Sequence, residues 1–353
     1  MVFLAFCLDA AFRSTMSMTI ISMVNNTVVN GTHLSPLVKI TSEIVPSGGQ
    51  FKWDSDMQGW VLTSIYIGIL LSQLPAGHLA ESFSLKWVLG YGVFIMSVLT
   101  ILAPIVVSWN VWAFIVLRIL SGISIGAAFP SANALMSRWS PLEERTFLIT
   151  FAIQGYTVGT TATMFTAGPL IKYFGWQSVF YLFGFLGVAW SLVWYFCIAS
   201  SPEKHQWISE EERDMILQNR EGNFDRNRHI PWKAIMCSGP VLVLNIRTFC
   251  ASVFYIIVIT YTPLFLGHMF HLDLTLNGLI NGVANITTGI IAVICSVLAD
   301  RLLQADYSIN VVRKTFATLG KCTTFKSTHV VDDIIGVVAI VEIFVCCTMY
   351  AAL

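Results

Sequence analysis

Apolar runs of bilayer-crossing length dominate this chain. They cover residues 2–24, 59–80, 87–107, 111–136, 146–167, 178–199, 240–266 and 277–299, with a last run at 334–353. A helix rising about 1.5 Å per residue needs about 20 apolar residues to cross the hydrocarbon core. Inside that core every backbone N–H and C=O must be paired within the protein, so runs of this length must be helical. The fold class predicted is therefore an all-α polytopic membrane protein embedded in a lipid bilayer. Composition agrees, with 56% hydrophobic and 11% charged residues, where soluble domains carry about 25% charged. The 20 basic and 20 acidic side chains cancel, so no basic surface points to nucleic acid. The eight cysteines form no CxxC pair and avoid the segments placed outside below, so neither a disulfide framework nor a metal site is predicted.

Charge and sequons orient the spans. The loop at 25–58 holds Asn25-Asn26-Thr27 and Asn30-Gly31-Thr32, glycosylation acceptors at Asn25 and Asn30 that operate only on the lumenal or extracellular side. A third match, Asn285-Ile286-Thr287, falls inside a span and is predicted to be silent. Basic residues gather on the other side, at Lys86, Arg138, Arg145, Arg301, Arg313, Lys314 and throughout 200–239. The positive-inside rule then puts the amino terminus and the 200–239 loop in the cytosol. The start does not read as a cleavable signal, because it lacks a basic leading segment and its apolar run contains Asp9 and Arg13.

A short pattern recurs. Gly77-His78-Leu79-Ala80-Glu81 is followed by Lys86, and Ser296-Val297-Leu298-Ala299-Asp300-Arg301 by Arg313 and Lys314. Each is a small-residue helix end followed by an acid and a base. The predicted organisation is a six-span first bundle at 1–199 and a charged cytosolic linker at 200–239. A partial second bundle with spans seven and eight follows at 240–319, then an atypical tail at 320–353 with a candidate ninth span. This is the layout of parallel-repeat transporters.

These residues resemble the major facilitator superfamily, and within it the anion:cation symporter family of sodium-phosphate cotransporters, sialin and vesicular glutamate transporters. The resemblance runs from about Phe6 to about Leu319. Its pieces are Arg13 with Met23-Val24-Asn25-Asn26, Gln58-Gly59-Trp60, Arg118-Ile119-Leu120-Ser121-Gly122 to Phe129-Pro130, Trp139-Ser140-Pro141-Leu142-Glu143-Glu144-Arg145, Gly175-Trp176-Gln177-Ser178-Val179-Phe180-Tyr181, and Ser201-Pro202-Glu203-Lys204-His205. It implies a major facilitator fold with an incomplete second half. The function it implies is cation-coupled symport of phosphate or an organic anion, with sodium or a proton as coupling ion and no other cofactor. It also implies a multi-pass location, the plasma membrane before a lysosomal or vesicular one. As aligned, the vesicular glutamate branch has ionisable residues where Leu62, Ile125, Asn133 and Ala251 stand here, which directs the reading away from that branch.

Two intramembrane arginines point to a small anionic substrate, phosphate or carboxylate. Arg118 lies about 10 Å into its run, where a charge costs a few kcal/mol and must face a polar site or a partner. Its planar fork of donors suits carboxylate or phosphate; the plainer alternative is snorkelling or a backbone carbonyl partner. The resemblance implies that Arg13 also contacts the anion. Asp9, one turn earlier with the acid amino-terminal to the base, is predicted to pair with Arg13, or else to bind the coupling cation. Glu81, Lys86, Glu143, Glu144, Arg145, Asp300 and Arg301 are candidate gating residues, their alternative being ordinary solvated loops. Gly122, Gly126, Gly155 and Gly159 are predicted to permit close helix packing. No HExxH, GxSxG or Walker A pattern occurs, so the chain is not read as an enzyme and transport would be secondary.

From 240 onward 114 residues remain, against the roughly 180–200 of a six-span half. The second reading follows: a truncated, transport-incompetent isoform that binds or regulates a full-length relative.

Overall fold

A computed structural model describes residues 1–24, 49–82, 84–140, 145–199, 209–210, 237–270 and 272–304. The helices are α1 (Val2–Met23), α2 (Ser55–Ser82), α3 (Leu85–Trp109), α4 (Val111–Ile125), α5 (Ala128–Trp139), α6 (Arg145–Ile153), α7 (Gly155–Phe174), α8 (Gln177–Cys197), α9 (Gly239–Phe270) and α10 (Leu274–Gln304). Each of the first eight predicted runs coincides with helix; the ninth, 334–353, lies outside the described residues, as do Asn25, Asn30, Glu143 and Glu144.

Five stretches are long and apolar enough to cross a membrane on composition alone: Val2–Met23, Leu85–Trp109, Val111–Ser137, Gln177–Cys197 and Val241–Gly267. The helices α2, α7 and α10 have the length but dilute their apolar content. They carry Gln58, Ser64 and Ser72, then Thr157, Thr160 and Thr163, then Asn277, Asn281 and Asn285. Most of these polar side chains are buried, so they face protein rather than lipid.

Local sequence explains where helices start, break and stop. The Asn110 side chain accepts from the Trp112 N–H at 2.8 Å and caps α4. The fourth span is interrupted between α4 and α5 because Pro130 has no N–H to give the carbonyl one turn back. The fifth span runs past its predicted end at 167. Pro169 removes only one donor, and the helix continues to Gly175, whose φ of 83° ends it.

The packing divides the chain into residues 1–224 with 273–275, and residues 225–272 with 276–353. The first unit is built inside out compared with a water-soluble bundle. On α3 the exposed side carries Tyr91, Phe94, Ile95, Val98, Leu102 and Ile105, while Gly92, Ser97, Thr100 and Ala103 are inside. On α8, Phe185, Leu186, Leu192 and Phe196 face out, and Gly184, Gly187 and Ser191 face in. Lipid is as apolar as leucine, so helices associate through close approach of small residues and interior hydrogen bonds. Many of the buried hydroxyls are satisfied on their own helices, as where Ser97 and Ser191 donate to the Val93 and Gly187 carbonyls at 2.6 and 2.8 Å.

Two glycine contacts set the geometry of the site. Gly68 of α2 and Gly122 of α4 meet face to face: a Cβ on either would fall 3.0 Å from the other's Cα and would strike a carbonyl of the opposite helix. Gly159 of α7 lies on the Cys7 backbone of α1, so closely that a Cβ would sit 2.6 Å from the Cys7 Cα. The helix α1 is wrapped on most of its surface and packs chiefly on α7.

In the second unit, Asn277, Asn281 and Asn285 recur every fourth residue along one buried stripe of α10. The Asn277 side-chain amide donates to the Pro263 carbonyl at 2.8 Å and so ties α10 to α9. Asn281 donates to the Asn277 carbonyl and side-chain oxygen, and Asn285 to the Asn281 carbonyl at 2.9 Å. The amide of the internal sequon is thus buried and engaged within a helix, consistent with its being silent.

Candidate functional site

The polar centre of the first unit is built on α1, α2, α4 and α7. Residues 9 and 13 stand one turn apart on α1, and the spacing brings their side chains together as expected. Arg13 Nε donates to Asp9 Oδ1 and Arg13 Nη2 to Asp9 Oδ2, both at 2.7 Å. A third donor comes from α7, where the Tyr156 hydroxyl gives a 2.6 Å hydrogen bond to Asp9 Oδ2. Asp9 is 1% exposed. Three donors converge on its two oxygens, two of them from a guanidinium fork.

Arg13 remains partly open. Its side chain is 23% exposed, and its hydrogen bonds go through one edge of the fork, leaving Nη1 without a bond among the described residues. The guanidinium carbon sits 5.8 Å from the centre of the Tyr156 ring, a cation–π placement. Tyr156 also stacks on Phe6 with centroids 5.0 Å apart, which fixes the ring that delivers the hydroxyl.

Arg118 on α4 is different. It is 5% exposed, and its Nε has no hydrogen-bond partner. No carboxylate pairs with it among the described residues. On α2, Tyr66 lies within electrostatic range of Arg118 and of Arg13. The close Gly68–Gly122 contact brings α2 and α4 together one turn from Arg118 and half a turn from Tyr66. A buried cation without a partner is costly, and this arrangement can accept an anion at little further expense in desolvation.

The other candidate residues fall elsewhere. Glu81 lies in the last turn of α2 and Lys86 in the first turn of α3. Lys86 Nζ donates to the Tyr195 carbonyl at 2.8 Å, near the end of α8, and stands 5.2 Å and 5.5 Å from the Trp87 and Tyr195 ring centres. Trp194 Nε1 returns a bond to the Lys86 carbonyl at 2.9 Å. Lys86 therefore fastens α3 to the carboxyl end of α8, where a cation is favoured by the helix dipole. Arg145 opens α6, and Asp300 and Arg301 close α10, with Arg301 exposed. Tyr66 and Tyr156 are absent from the sequence-based selection. A tyrosine within a membrane span carries one signal, an interior hydroxyl that needs a partner, and nothing in the sequence alone says which partner.

Apolar-faced helices around a buried ion pair make the first unit a membrane-embedded bundle with a polar interior. The chain matches the sequence profile of the Major Facilitator Superfamily over residues 2–349, and it belongs to that superfamily of transporters. Among curated proteins it is 28% identical to human sialin over 325 residues, covering 90% of this chain and 66% of sialin. It is 30% identical to mouse sodium-dependent phosphate transport protein 1 over 329 residues, covering 90% and 69%. It is 31% identical to bovine vesicular glutamate transporter 1 over 310 residues, covering 85% and 53%. These relatives are those of the anion:cation symporter family, and the chain spans between about half and two thirds of their length. The fold is also that of the Escherichia coli xylose transporter XylE, with a TM-score of 0.64 at 14% identity over 99% of this chain and 84% of XylE. A bacterial homologue of the human lysosomal transporter Spinster gives 0.63 at 13% identity, covering 98% and 71%.

Proposed function

We propose that this chain is a secondary transporter moving a small inorganic or organic anion across a membrane, coupled to a sodium ion or a proton. Arg118 seats the charge of the anion and Arg13 offers its free edge beside it. The observation that carries this reading is the guanidinium of Arg118, buried in the first bundle with its Nε unpartnered. Such a group is tolerated where a ligand completes it, and an arginine fork matches carboxylate and phosphate. Relatives named for phosphate and for glutamate support an anion as cargo. Gating by Glu81, Lys86, Glu143, Glu144, Arg145, Asp300 and Arg301 belongs to the same proposal, with Lys86 holding Tyr195 in the conformation seen here. The plasma membrane is the location assigned, because Leu62, Ile125, Asn133 and Ala251 lack the ionisable groups of the vesicular branch.

The test is uptake of labelled phosphate and a panel of carboxylates by cells expressing the protein, with sodium replaced by choline and, separately, with the external pH varied. Saturable uptake of one anion that depends on sodium or on pH, and that falls at least about tenfold in Arg118→Ala, supports the reading. Uptake that ignores both cations removes the coupling. Anion uptake unchanged by Arg118→Ala removes the seat.

A further inference from the structure

We propose that the start of α3 and the end of α8 together form a site for the headgroup of an acidic phospholipid, with Lys86 as its cation. The proposal stands whichever solute the chain moves. Lys86 lies in the first turn of α3, and Tyr195 is two residues from the end of α8. The two helix ends are packed closely, since a Cβ on Gly90 would fall 2.7 Å from Trp194 Cδ1. An ammonium has three donors. Lys86 gives one to the Tyr195 carbonyl at 2.8 Å, and no carboxylate pairs with it among the described residues. The Trp87 and Tyr195 rings, 5.2 and 5.5 Å away, hold it from two sides. These rings belong to a continuous run. Tyr91 stacks on Trp87, Trp87 meets Tyr195, and Tyr195 meets Phe196 edge-on, with centroids 5.3, 5.3 and 5.1 Å apart. The run crosses from one helix to the other, and all four rings are exposed on the apolar sides of α3 and α8.

A fixed cation with two donors to spare and no carboxylate takes its counter-charge from outside the chain. The orientation expected from the basic loops puts these helix ends at the cytosolic leaflet, where acidic lipids attract lysine. The rings commit the site to a lipid and not to a free phosphate. Tryptophan and tyrosine sit at headgroup level with their apolar bodies against the acyl chains. The Trp87 indole N–H and the Tyr91 and Tyr195 hydroxyls make no hydrogen bond among the described residues, which leaves them for phosphate and ester oxygens. Lys172 provides the contrast. It is exposed in the last turn of α7 beside exposed Tyr173 and Phe174, yet no carbonyl or ring holds its ammonium among the described residues. Such a lysine must give up its side-chain freedom to bind a headgroup, whereas Lys86 is already held in place.

The experiment counts the lipids retained by the purified full chain in a neutral detergent, by native mass spectrometry. The chain is titrated with phosphatidylserine or with phosphatidylcholine of the same acyl chains. The wild type is expected to hold phosphatidylserine about fivefold more tightly, with the difference fading as ammonium acetate is raised about tenfold. Lys86→Gln is expected to bring the two lipids level. Lys86→Arg keeps the charge and is expected to keep the preference, and Lys172→Gln is expected to leave it unchanged. Tyr195→Leu removes a ring and leaves the backbone carbonyl in place. It is expected to narrow the preference, and it decides the matter should Lys86→Gln fail to fold. Phosphatidylserine held no better than phosphatidylcholine, a preference indifferent to salt, or an equal loss in Lys172→Gln overturns the site. Glycerophosphoserine, the headgroup without its chains, is the last probe. Displacement of the lipid by an equal concentration of it would show a site for a free phosphate ester and overturn the lipid as occupant.

Discussion

Replacing Gly159 by alanine should separate α1 from α7 and take the site apart from a distance. The added Cβ would lie 2.6 Å from the Cys7 Cα and 2.7 Å from its carbonyl carbon, with the carbonyl oxygen closer still, where ordinary contact begins at 3.4 Å. All three obstacles are backbone, so no side chain can swing away. The helices must part by about 1 Å, and overpacking of this kind costs about 1–3 kcal/mol. The bond most exposed to that movement is the one from Tyr156 to Asp9, one turn along the same contact. At 2.6 Å it would stretch towards about 3.5 Å, where a hydrogen bond is lost. The expected outcome is a lowered unfolding temperature in detergent together with weakened anion uptake. Gly239→Ala serves as control, since a Cβ there meets nothing within 4 Å and should change neither. Wild-type stability and uptake in Gly159→Ala would show that α1 and α7 do not depend on this contact, and would refute the packing argument.

Three further outcomes are expected. Tyr156→Phe removes one of the three donors to buried Asp9 and should cost about 1–3 kcal/mol, measured as unfolding temperature in the ligand-free protein. Lys86→Ala should lower the unfolding temperature slightly, because it loses the Tyr195 carbonyl and two aromatic faces at an exposed position. A fall in transport rate larger than that loss explains would support its gating role. Asn277→Leu should destabilise the second unit by about 1–3 kcal/mol, since it abandons the Pro263 carbonyl in the α9–α10 contact, as read by proteolysis of that region in membranes.

How far the sequence told this in advance depends on the physical range of each signal. Span positions were legible because hydrophobicity over about 20 residues is a strong local sum, and eight runs became helices within a few residues of prediction. Their ends were less legible. The fifth span, read as 146–167, runs on because a membrane helix survives the one donor missing at Pro169, and the stop lies at Gly175. The pairing of Asp9 with Arg13 was readable because both sit on one helix four residues apart. The third partner, Tyr156, was not, because it arrives from another helix 147 residues away, through a contact that only the Gly159 packing brings about. Arg118 stood out as a charge in an apolar run, but its lack of a partner at Nε is a property of three dimensions. The reading of Lys86 as part of an acid-base latch came from neighbours in sequence, and its bond to the Tyr195 carbonyl, 109 residues away, carries no signal of that kind.

Arg118 is proposed as a group kept for an anion and not for the fold. The most direct measurement is the unfolding temperature of ligand-free Arg118→Gln set beside its anion uptake. Removing an unpaired buried charge relieves a cost, so the account predicts a variant at least as stable as the wild type that has lost uptake and no longer gains stability from anions. A variant that unfolds more readily, or one that still transports, would contradict it.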